Sequence, residues 1–314
     1  MPSLAAPFKQ KSRSLLLMNL LMFLATFCWG ANIIAGKFAL RGINAMTLAH
    51  LRIIGATILF SLVFLARRPL AALRMPRKEW LFLALVAFNG ITLNQVFFIG
   101  GLSRTSAAHT ALIVGLGPVM VLILSLFMRL ESLTALKSGG IALAFAGMAL
   151  LSLEKAAPGS EANWRGDLIQ FCGTTVFAYY TILLKKVANR HDAVTLNLAT
   201  FLLGGVFMIP FSFRGLQAME WSSVPGSAWL GAAFMILFGT SLAYLAYAHA
   251  LTGLSATQVA TYAYLQPVVA IALGMLILGE HLSWRVIEGG VMILLGVCVS
   301  EWGGERHTRR EARA

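Results

Sequence analysis

The chain has 314 residues, of which 58% are hydrophobic and only 12% are charged, and its formal net charge is +13. A soluble domain usually contains about 25% charged residues, so one globular core cannot hide this much apolar surface, and lipid is its natural solvent. The positive residues lie in short pieces between apolar runs, which indicates orientation in a membrane rather than nucleic-acid binding.

Ten apolar stretches are long enough to cross a bilayer as helices, each of which needs about 20 mostly apolar residues. In chain order they cover residues 15–36, 47–65, 80–100, 107–128, 134–153, 166–187, 195–213, 227–250, 256–278 and 283–301. An isolated strand cannot satisfy its backbone groups in lipid, and the alternation of a barrel is missing. The sequence therefore predicts an all-α integral membrane protein with ten transmembrane helices.

Lysine and arginine are unevenly distributed between the alternate connections of these spans. The side that contains both termini holds most of them, including Arg74, Lys185 and Arg310, and the other side holds fewer, including Lys37 and Arg165. Positive residues concentrate on the cytoplasmic side of a membrane. We therefore expect a multi-pass protein of the inner (plasma) membrane with both termini in the cytoplasm.

Residues 100–153 and 249–302 match one another at an offset of 149 positions, the separation of Pro118 from Pro267. Five spans in each half is an odd number, so the second half must enter the membrane from the opposite side. The prediction is two inverted five-helix repeats, a pattern typical of transporters. The expected segments are a cytoplasmic tail (1–14), the first repeat (15–153), a polar linker (154–165), the second repeat (166–301) and a basic cytoplasmic tail (302–314).

A series of short motifs resembles the drug/metabolite transporter superfamily, specifically its ten-helix EamA-type members. The resemblance covers about residues 15–301 and depends on the order of the motifs. It implies two inverted repeats around a central cavity, and export or uptake of small metabolites, often amino acids or their derivatives. The motifs are Trp29-Gly30-Ala31-Asn32, Arg52, Leu102 with Ser106-Ala107-Ala108, Gly117-Pro118, Glu131-Ser132-Leu133-Thr134, Gly166-Asp167, Tyr180 with Lys185-Lys186, Gln266-Pro267 and Gly279-Glu280-His281-Leu282-Ser283.

Polar and aromatic side chains interrupt the apolar spans. Amides are costly when they face lipid, so we expect them to point inward, either to join helices or to line a cavity. In the ninth span, Gln258, Tyr262 and Gln266 are four residues apart and are predicted to share one helical face. As a cavity wall, such groups would suit a polar or zwitterionic metabolite. The predicted substrate-binding residues are Trp29, Asn32, Arg52, Asn94, Gln95, Tyr180, Tyr244, Tyr262 and Gln266.

Arg52 is a charge inside an apolar span, about five residues from its start. Three interpretations remain open. The side chain could extend to the outer interface, hold a carboxylate of the substrate, or tie helices together through backbone carbonyls.

Pro118 and Pro267 are predicted to bend their helices, because neither can donate a hydrogen bond to the residue four positions earlier. The bends could simply improve packing. Alternatively they could act as a hinge or gate that lets one half rock against the other.

Enzymatic chemistry finds little support, because no local set of acids, histidines or nucleophiles suggests a catalytic site. No Gly-Lys-Ser/Thr loop for ATP is present, and Cys28, Cys172 and Cys298 lack the spacing of metal ligands, so no cofactor or metal is expected. We predict a transporter of small metabolites, an exporter of amino acids or related compounds, that works by alternating access. A nucleotide-sugar or drug carrier is the nearer alternative and a membrane enzyme the more distant one. The expected partners are a small-molecule substrate and the bilayer, with no nucleic acid, in a monomer or homodimer.

Overall fold

Helices make up almost the whole described chain of the computed structural model, and the residues that it describes contain no strand. These residues are 6–67, 69, 73–129, 133–153, 163–254, 258–259, 262–280 and 282–311, with side chains described between 15 and 300 apart from 152. The first half contains α1 (Ala6–Ala39), α2 (Ala45–Arg67), α3 (Arg77–Leu102), α4 (Ala107–Phe127) and α5 (Ala135–Ser152). The second contains α6 (Trp164–Lys185), α7 (Ala193–Gln217), α8 (Gly226–Gly253), α9 (Tyr262–Leu278) and α10 (Trp284–Glu311).

Every predicted span falls on one of these helices, which confirms the all-α membrane fold. Seven described helices are long and apolar enough to cross a membrane, and Ala135–Leu151 and Tyr262–Leu278 are shorter apolar helices. α1 and α10 continue into the segments predicted as tails, because lysine, arginine and glutamine are good helix formers. Most of the predicted linker, residues 154–162, lies outside the described residues.

Large apolar side chains cover the outward faces of the helices. Leu62, Val206, Leu230 and Leu276 are all largely exposed, although each lies within a helix. In water, a contiguous apolar surface of this kind would be unfavourable, whereas lipid solvates it without cost. The burial pattern therefore agrees with a bundle that is surrounded by hydrocarbon.

The packing of the bundle follows the symmetry of the two repeats. α5 packs on its counterpart α10, and α2 packs on its counterpart α7. Likewise, the contact of α3 with α6 has its equivalent in the contact of α1 with α8. Glycines allow α5 and α10 to touch, since a Cβ added at Gly140 would lie 2.5 Å from the carbonyl oxygen of Gly296. The two halves thus share one continuous interior.

α3 and α8 each contain a widened, π-helical stretch at equivalent positions. The stretches are Phe88–Leu93 in α3 and Met235–Leu242 in α8. Each π turn inserts an extra residue into the helix and commonly marks a functional region. A side chain of the other repeat packs against each stretch, at Gly90 in α3 and at Gly239 in α8.

α4 and α9 both depart from regular α-helix near the two symmetric prolines. α4 is interrupted at Gly115 and Leu116, where the Leu116 amide donates to the Ile113 carbonyl at 3.1 Å. α9 opens with a 3-10 turn over Tyr262–Tyr264 before its α-helical part. The two irregular regions touch, since a Cβ at Gly115 would lie 3.3 Å from Cγ of Pro267. Both helices are therefore irregular near the two prolines, and the irregular regions lie together; that the prolines bend the helices stays a prediction.

Candidate substrate cavity

A cavity lies between the two halves and is lined by residues of α1, α2, α3, α4, α6, α8 and α9, together with Val259 just before α9. Its walls enclose a cavity of about 90 Å³. The structure places most of the predicted residues on its wall, namely Trp29, Asn32, Arg52, Asn94, Gln95, Tyr244 and Gln266.

Arg52 is buried in the protein interior. Its Nη1 donates to Oε1 of Gln95 at 2.7 Å, while Nε and Nη2 donate to Oγ1 of Thr240 at 3.2 and 2.9 Å. The guanidinium also lies 5.8 Å from the ring centre of Phe98. Arg52 thus links α2 to α3 and α8 through side chains, and not through the backbone carbonyls considered from the sequence.

The π-helical stretch of α8 makes the contacts that hold the cavity residues near Arg52 in place. The Thr240 hydroxyl donates to the Met235 carbonyl, five residues earlier, at 2.8 Å, which leaves its oxygen able to accept from Arg52. The neighbouring Gly239 carbonyl accepts a 3.0 Å hydrogen bond from Nε1 of Trp29. The side chain of Asn32 packs against Gly239, where an added Cβ would lie 2.1 Å from Asn32 Oδ1. One irregular stretch therefore positions three of the predicted residues.

An aromatic cluster forms the apolar part of the cavity. Trp29 meets the rings of Phe177, Tyr244 and Tyr247 with centroid distances of 5.6, 5.9 and 5.3 Å. These rings come from three helices that belong to both repeats, α1, α6 and α8. Edge-to-face and tilted contacts of this type are favourable and hold the rings in place. The cluster offers a rigid flat surface to the apolar portion of a bound molecule.

Two predicted residues lie off the wall. Tyr180 forms a second layer behind the cavity, where its ring packs so closely on α3 that a Cβ at Gly90 would lie 1.8 Å from it. Tyr262 instead donates a 2.6 Å hydrogen bond to Oδ1 of Asn19 in α1. The 3-10 turn at the start of α9 has about three residues per turn, so the assumed spacing of four does not keep one face. The face that lines the cavity contains Val259, Ala263 and Gln266, while Gln258 is exposed.

The polar face of α6 was not predicted from the sequence. Gln170, Thr174 and Thr181 line the cavity at helical spacing, next to Phe177. Thr174 and Thr181 each donate to the carbonyl four residues earlier, at 3.2 and 3.0 Å. A threonine satisfied in this way is common in apolar helices and gives little polar signal by itself. The one sequence signal for this wall was the spacing of Gln170 and Thr174, which are four residues apart and share a helical face.

The described wall of the cavity carries positive charge only. Among the described residues that line it, Arg52 is the one charged side chain. Its hydrogen-bond partners Gln95 and Thr240 are both neutral. A buried cation without a counterion pays a desolvation cost that neutral acceptors only partly offset. The described wall therefore carries one positive charge and no negative charge.

One end of the bundle, opposite the tails, is closed by a buried polar group of residues. Nζ of Lys37 donates to the Thr105 carbonyl at 2.6 Å, and the Thr105 hydroxyl donates to Asp167 at 2.6 Å. His109 lies 3.1 Å from the same carboxylate. Oε1 of Glu280 accepts a 2.9 Å hydrogen bond from the amide of Ala107, at the start of α4. These contacts join α1, α4, α6 and the end of α9.

A related lysine contact occurs at the end that contains the tails. Nζ of Lys185, at the end of α6, donates to the carbonyls of Leu251 and Leu254 at 2.6 Å each. Lys185 corresponds to Lys37, because each lies near the end of the first helix of its repeat and donates to the carbonyl of an equivalent residue, Leu254 or Thr105. Glu131, the counterpart of Glu280, lies outside the described residues.

The comparison with known families agrees with this architecture. The profile of a family described as the EamA-like transporter family matches the chain twice, over residues 16–153 and again over 164–302. Together the two matches cover nearly the whole chain and correspond to its two halves.

Several curated proteins are similar along most of their length. An uncharacterized transporter of Archaeoglobus fulgidus is 27% identical over 280 residues, which is 89% of this chain and 95% of that protein. The uncharacterized transporter YyaM of Bacillus subtilis is 28% identical over 246 residues, 77% of this chain and 79% of its own. A chloroplastic WAT1-related protein of Arabidopsis thaliana is 26% identical, with 86% of this chain and 66% of that protein aligned.

A solved crystal structure shares the fold. It superposes with a TM-score of 0.67 at 17% sequence identity and covers 92% of this chain and 98% of its own. At this level of identity, the likeness concerns the fold alone.

Proposed function

The chain belongs to the EamA-like transporter family, and we propose that it carries an amino acid or a related small metabolite across the membrane through the central cavity. The observation that carries this proposal is the composition of the wall, which brings together amide, guanidinium and aromatic groups from both repeats. Transporter sites generally lie where such repeats face each other. A packed scaffold would have no need for a polar cavity at this place.

We propose alternating access as the mechanism. α4 and α9 cross the centre of the bundle, and both are irregular where Gly115 meets Pro267. Each helix also begins near a lysine at one end of the bundle, since α4 starts beside Lys37 and Glu280, and α9 follows the segment held by Lys185. A helix that bends at its middle can release one end while the other stays packed.

The direction that we propose is export. Three wall residues lie on the side of the tails, namely Met22 in α1, Tyr247 in α8 and Val259 just before α9. The polar group around Asp167 closes the other end. If the tails are cytoplasmic, as the distribution of lysine and arginine predicts, a substrate would enter this conformation from the cytoplasm.

Transport by reconstituted protein tests the proposal. The purified chain in liposomes is assayed by uptake and counterflow of amino acids, sugars and cationic drugs, with and without a pH gradient. We expect exchange of at least one amino acid, and we expect the variants Asn94→Leu, Gln95→Leu and Gln266→Leu to exchange it about tenfold more slowly. An apolar side chain there leaves polar groups of the substrate unpaired, at a cost of about 1–3 kcal/mol.

The matched control is Gln217→Leu, which removes an exposed amide at the end of α7, away from the cavity. It is expected to transport like the unmodified protein, and the melting temperatures of all four variants report whether they fold. Undiminished exchange by all three wall variants, when folded, would argue against the cavity as the transport site.

A further inference from the structure

The charge balance around Arg52 points to the chemical class of the substrate. Of the five N–H groups of a guanidinium, three are used by Gln95 and Thr240. One N–H on each of Nη1 and Nη2, the two terminal nitrogens of the planar group, remains to donate to a ligand. Two neighbouring N–H groups of this kind match the two oxygens of a carboxylate.

Among the described residues that line the cavity, no side chain supplies a negative charge to Arg52. Tyr244 and Thr240 are neutral, and these lining residues include no aspartate or glutamate. Asp167 and Glu280 are engaged at the end opposite the tails. A carboxylate that entered the cavity would therefore complete an ion pair in a site of low dielectric, where such a pair is strong.

One positive charge also limits the charge of the ligand. A carboxylate carries a single negative charge, which Arg52 neutralises. A phosphate carries about −1.5 to −2 near pH 7, so it would bring uncompensated negative charge into the same cavity. The rings of Trp29, Phe98 and Tyr244 stand on the wall beside the guanidinium and suit an apolar or aromatic body.

We propose that Arg52 is the carboxylate-binding residue of the cavity, and that the substrate must bear one carboxylate attached to a compact apolar or aromatic body. This inference rests on the proposed function and goes further, because it excludes decarboxylated amines, organic cations and organic phosphates. Amino acids satisfy the requirement through their carboxylate, and the amino group is not needed for binding at Arg52.

Competition on the unmodified protein tests the proposal without any variant. Counterflow of radiolabelled L-phenylalanine in liposomes is measured with 3-phenylpropionate, phenethylamine or phenyl phosphate as competitor. These compounds share the ring and differ in the charged group. We expect inhibition by 3-phenylpropionate at concentrations about 10- to 100-fold lower than by the other two, as a charge-assisted hydrogen-bonded pair implies. Equal inhibition by phenethylamine, or stronger inhibition by phenyl phosphate, would overturn the assignment.

Variants then place the preference on Arg52. Arg52→Gln is expected to lose the difference between 3-phenylpropionate and phenethylamine, while Arg52→Lys retains part of it through its charge. Arg41→Gln removes an exposed positive charge at the end opposite the tails and is the control, with an unchanged preference. If folded Arg52→Gln keeps the full preference for 3-phenylpropionate, the carboxylate binds elsewhere.

The two proposals fail in different ways. If the unmodified protein exchanges neither L-phenylalanine nor any other compound of the amino acid panel, the proposed function is wrong. If it exchanges amino acids but does not discriminate between the charged groups of the competitors, only the role of Arg52 is wrong.

Discussion

Two glycines determine how closely the repeats approach each other at the cavity. Gly90 in α3 receives the ring of Tyr180, and Gly239 in α8 receives the side chain of Asn32. Both occur in π-helical stretches, and in each case the packed side chain comes from the first helix of the other repeat. The same structural solution therefore recurs on both sides of the cavity, although the side chains that use it differ.

Alanine at these glycines is expected to destabilise the protein. A Cβ at Gly90 would lie 1.8 Å from Tyr180 Cδ2, and one at Gly239 would lie 2.1 Å from Asn32 Oδ1, so the packed side chains must move. Overpacking of a close-packed interior costs about 1–3 kcal/mol. The measurement is the melting temperature of Gly90→Ala and Gly239→Ala in detergent, which should fall.

Gly139→Ala is the control for this prediction. A Cβ at Gly139 meets no atom within 4 Å, and alanine is favoured over glycine inside a helix by about 1 kcal/mol. Its melting temperature should stay equal or rise slightly. Equal melting temperatures for all three variants would mean that the two glycine contacts do not limit stability.

Individual side chains of the cavity were predictable when their chemistry was unusual for a membrane span. Arg52, Gln95 and Gln266 stand out in apolar sequence because a polar group that faces lipid is costly. Thr174 and Thr181 did not, since a threonine satisfies its own hydroxyl within the helix. Phe177 looks like an ordinary membrane residue, and only its neighbours in space make it part of the cavity.

At the scale of single helices, α4 and α9 are the elements that the proposed mechanism depends on. Pro118 lies in the first turn of the second segment of α4, where a missing N–H costs little. Pro267 occupies the corresponding place in α9 and touches Gly115. Both prolines thus lie next to an irregular stretch of their helix, at the place where the two helices meet.

Replacing these prolines by alanine is expected to slow transport. Alanine restores the missing N–H and favours a straight, continuous helix, so the bend that we propose as the hinge becomes stiffer. We expect the exchange rate of Pro118→Ala and Pro267→Ala to fall by about tenfold, the effect of a barrier raised by about 1.4 kcal/mol. Counterflow rates at saturating substrate are the measurement, with substrate affinity largely unchanged.

Pro210→Ala provides a matched comparison. Pro210 lies inside α7 on an exposed face, away from the α4–α9 crossing, and its replacement should leave the exchange rate as it is. Equal slowing by all three substitutions would indicate a general effect of helix stiffness. Unchanged rates for Pro118→Ala and Pro267→Ala would remove the hinge from the mechanism.

The sequence could not place every residue of α9 because its local geometry is irregular. The spacing of Gln258, Tyr262 and Gln266 assumes 3.6 residues per turn throughout. The turn over Tyr262–Tyr264 is a 3-10 helix, which shifts the face and turns Tyr262 toward Asn19. Such irregular turns depend on what packs against the helix, and a single sequence does not reveal that.

At the scale of the whole molecule, the inverted repeats place equivalent lysines at opposite ends. Lys37 and Lys185 end α1 and α6, and each holds a carbonyl of the turn before α4 or α9. Asp167 and His109 lie beside the first lysine contact, whereas Asn19, toward the tails, accepts from the neutral Tyr262. The described side chains at the two ends therefore differ in charge, although the fold is symmetric.

Labelling of single cysteines tests the orientation that we expect for the whole chain. After Cys28, Cys172 and Cys298 are replaced by serine, a cysteine is introduced either at Ser12 in the N-terminal segment or at Ser222 in the exposed turn between α7 and α8. An impermeant maleimide added to intact cells should label position 222 and should label position 12 only after lysis. The reverse result would place both tails outside.

The span lengths, the offset between the repeats and the family were readable from the sequence alone. They follow from local quantities, namely hydrophobicity summed over about 20 residues and the order of short motifs. The membership of the cavity wall was decided only by the tertiary structure, because it depends on which helices cross and on the π and 3-10 turns that rotate their faces. Arg52 illustrates both what the sequence determined and what the tertiary structure determined. Its charge in an apolar span was visible in one helix, but its partners Gln95 and Thr240 come from two others, and only the tertiary structure shows that both are neutral.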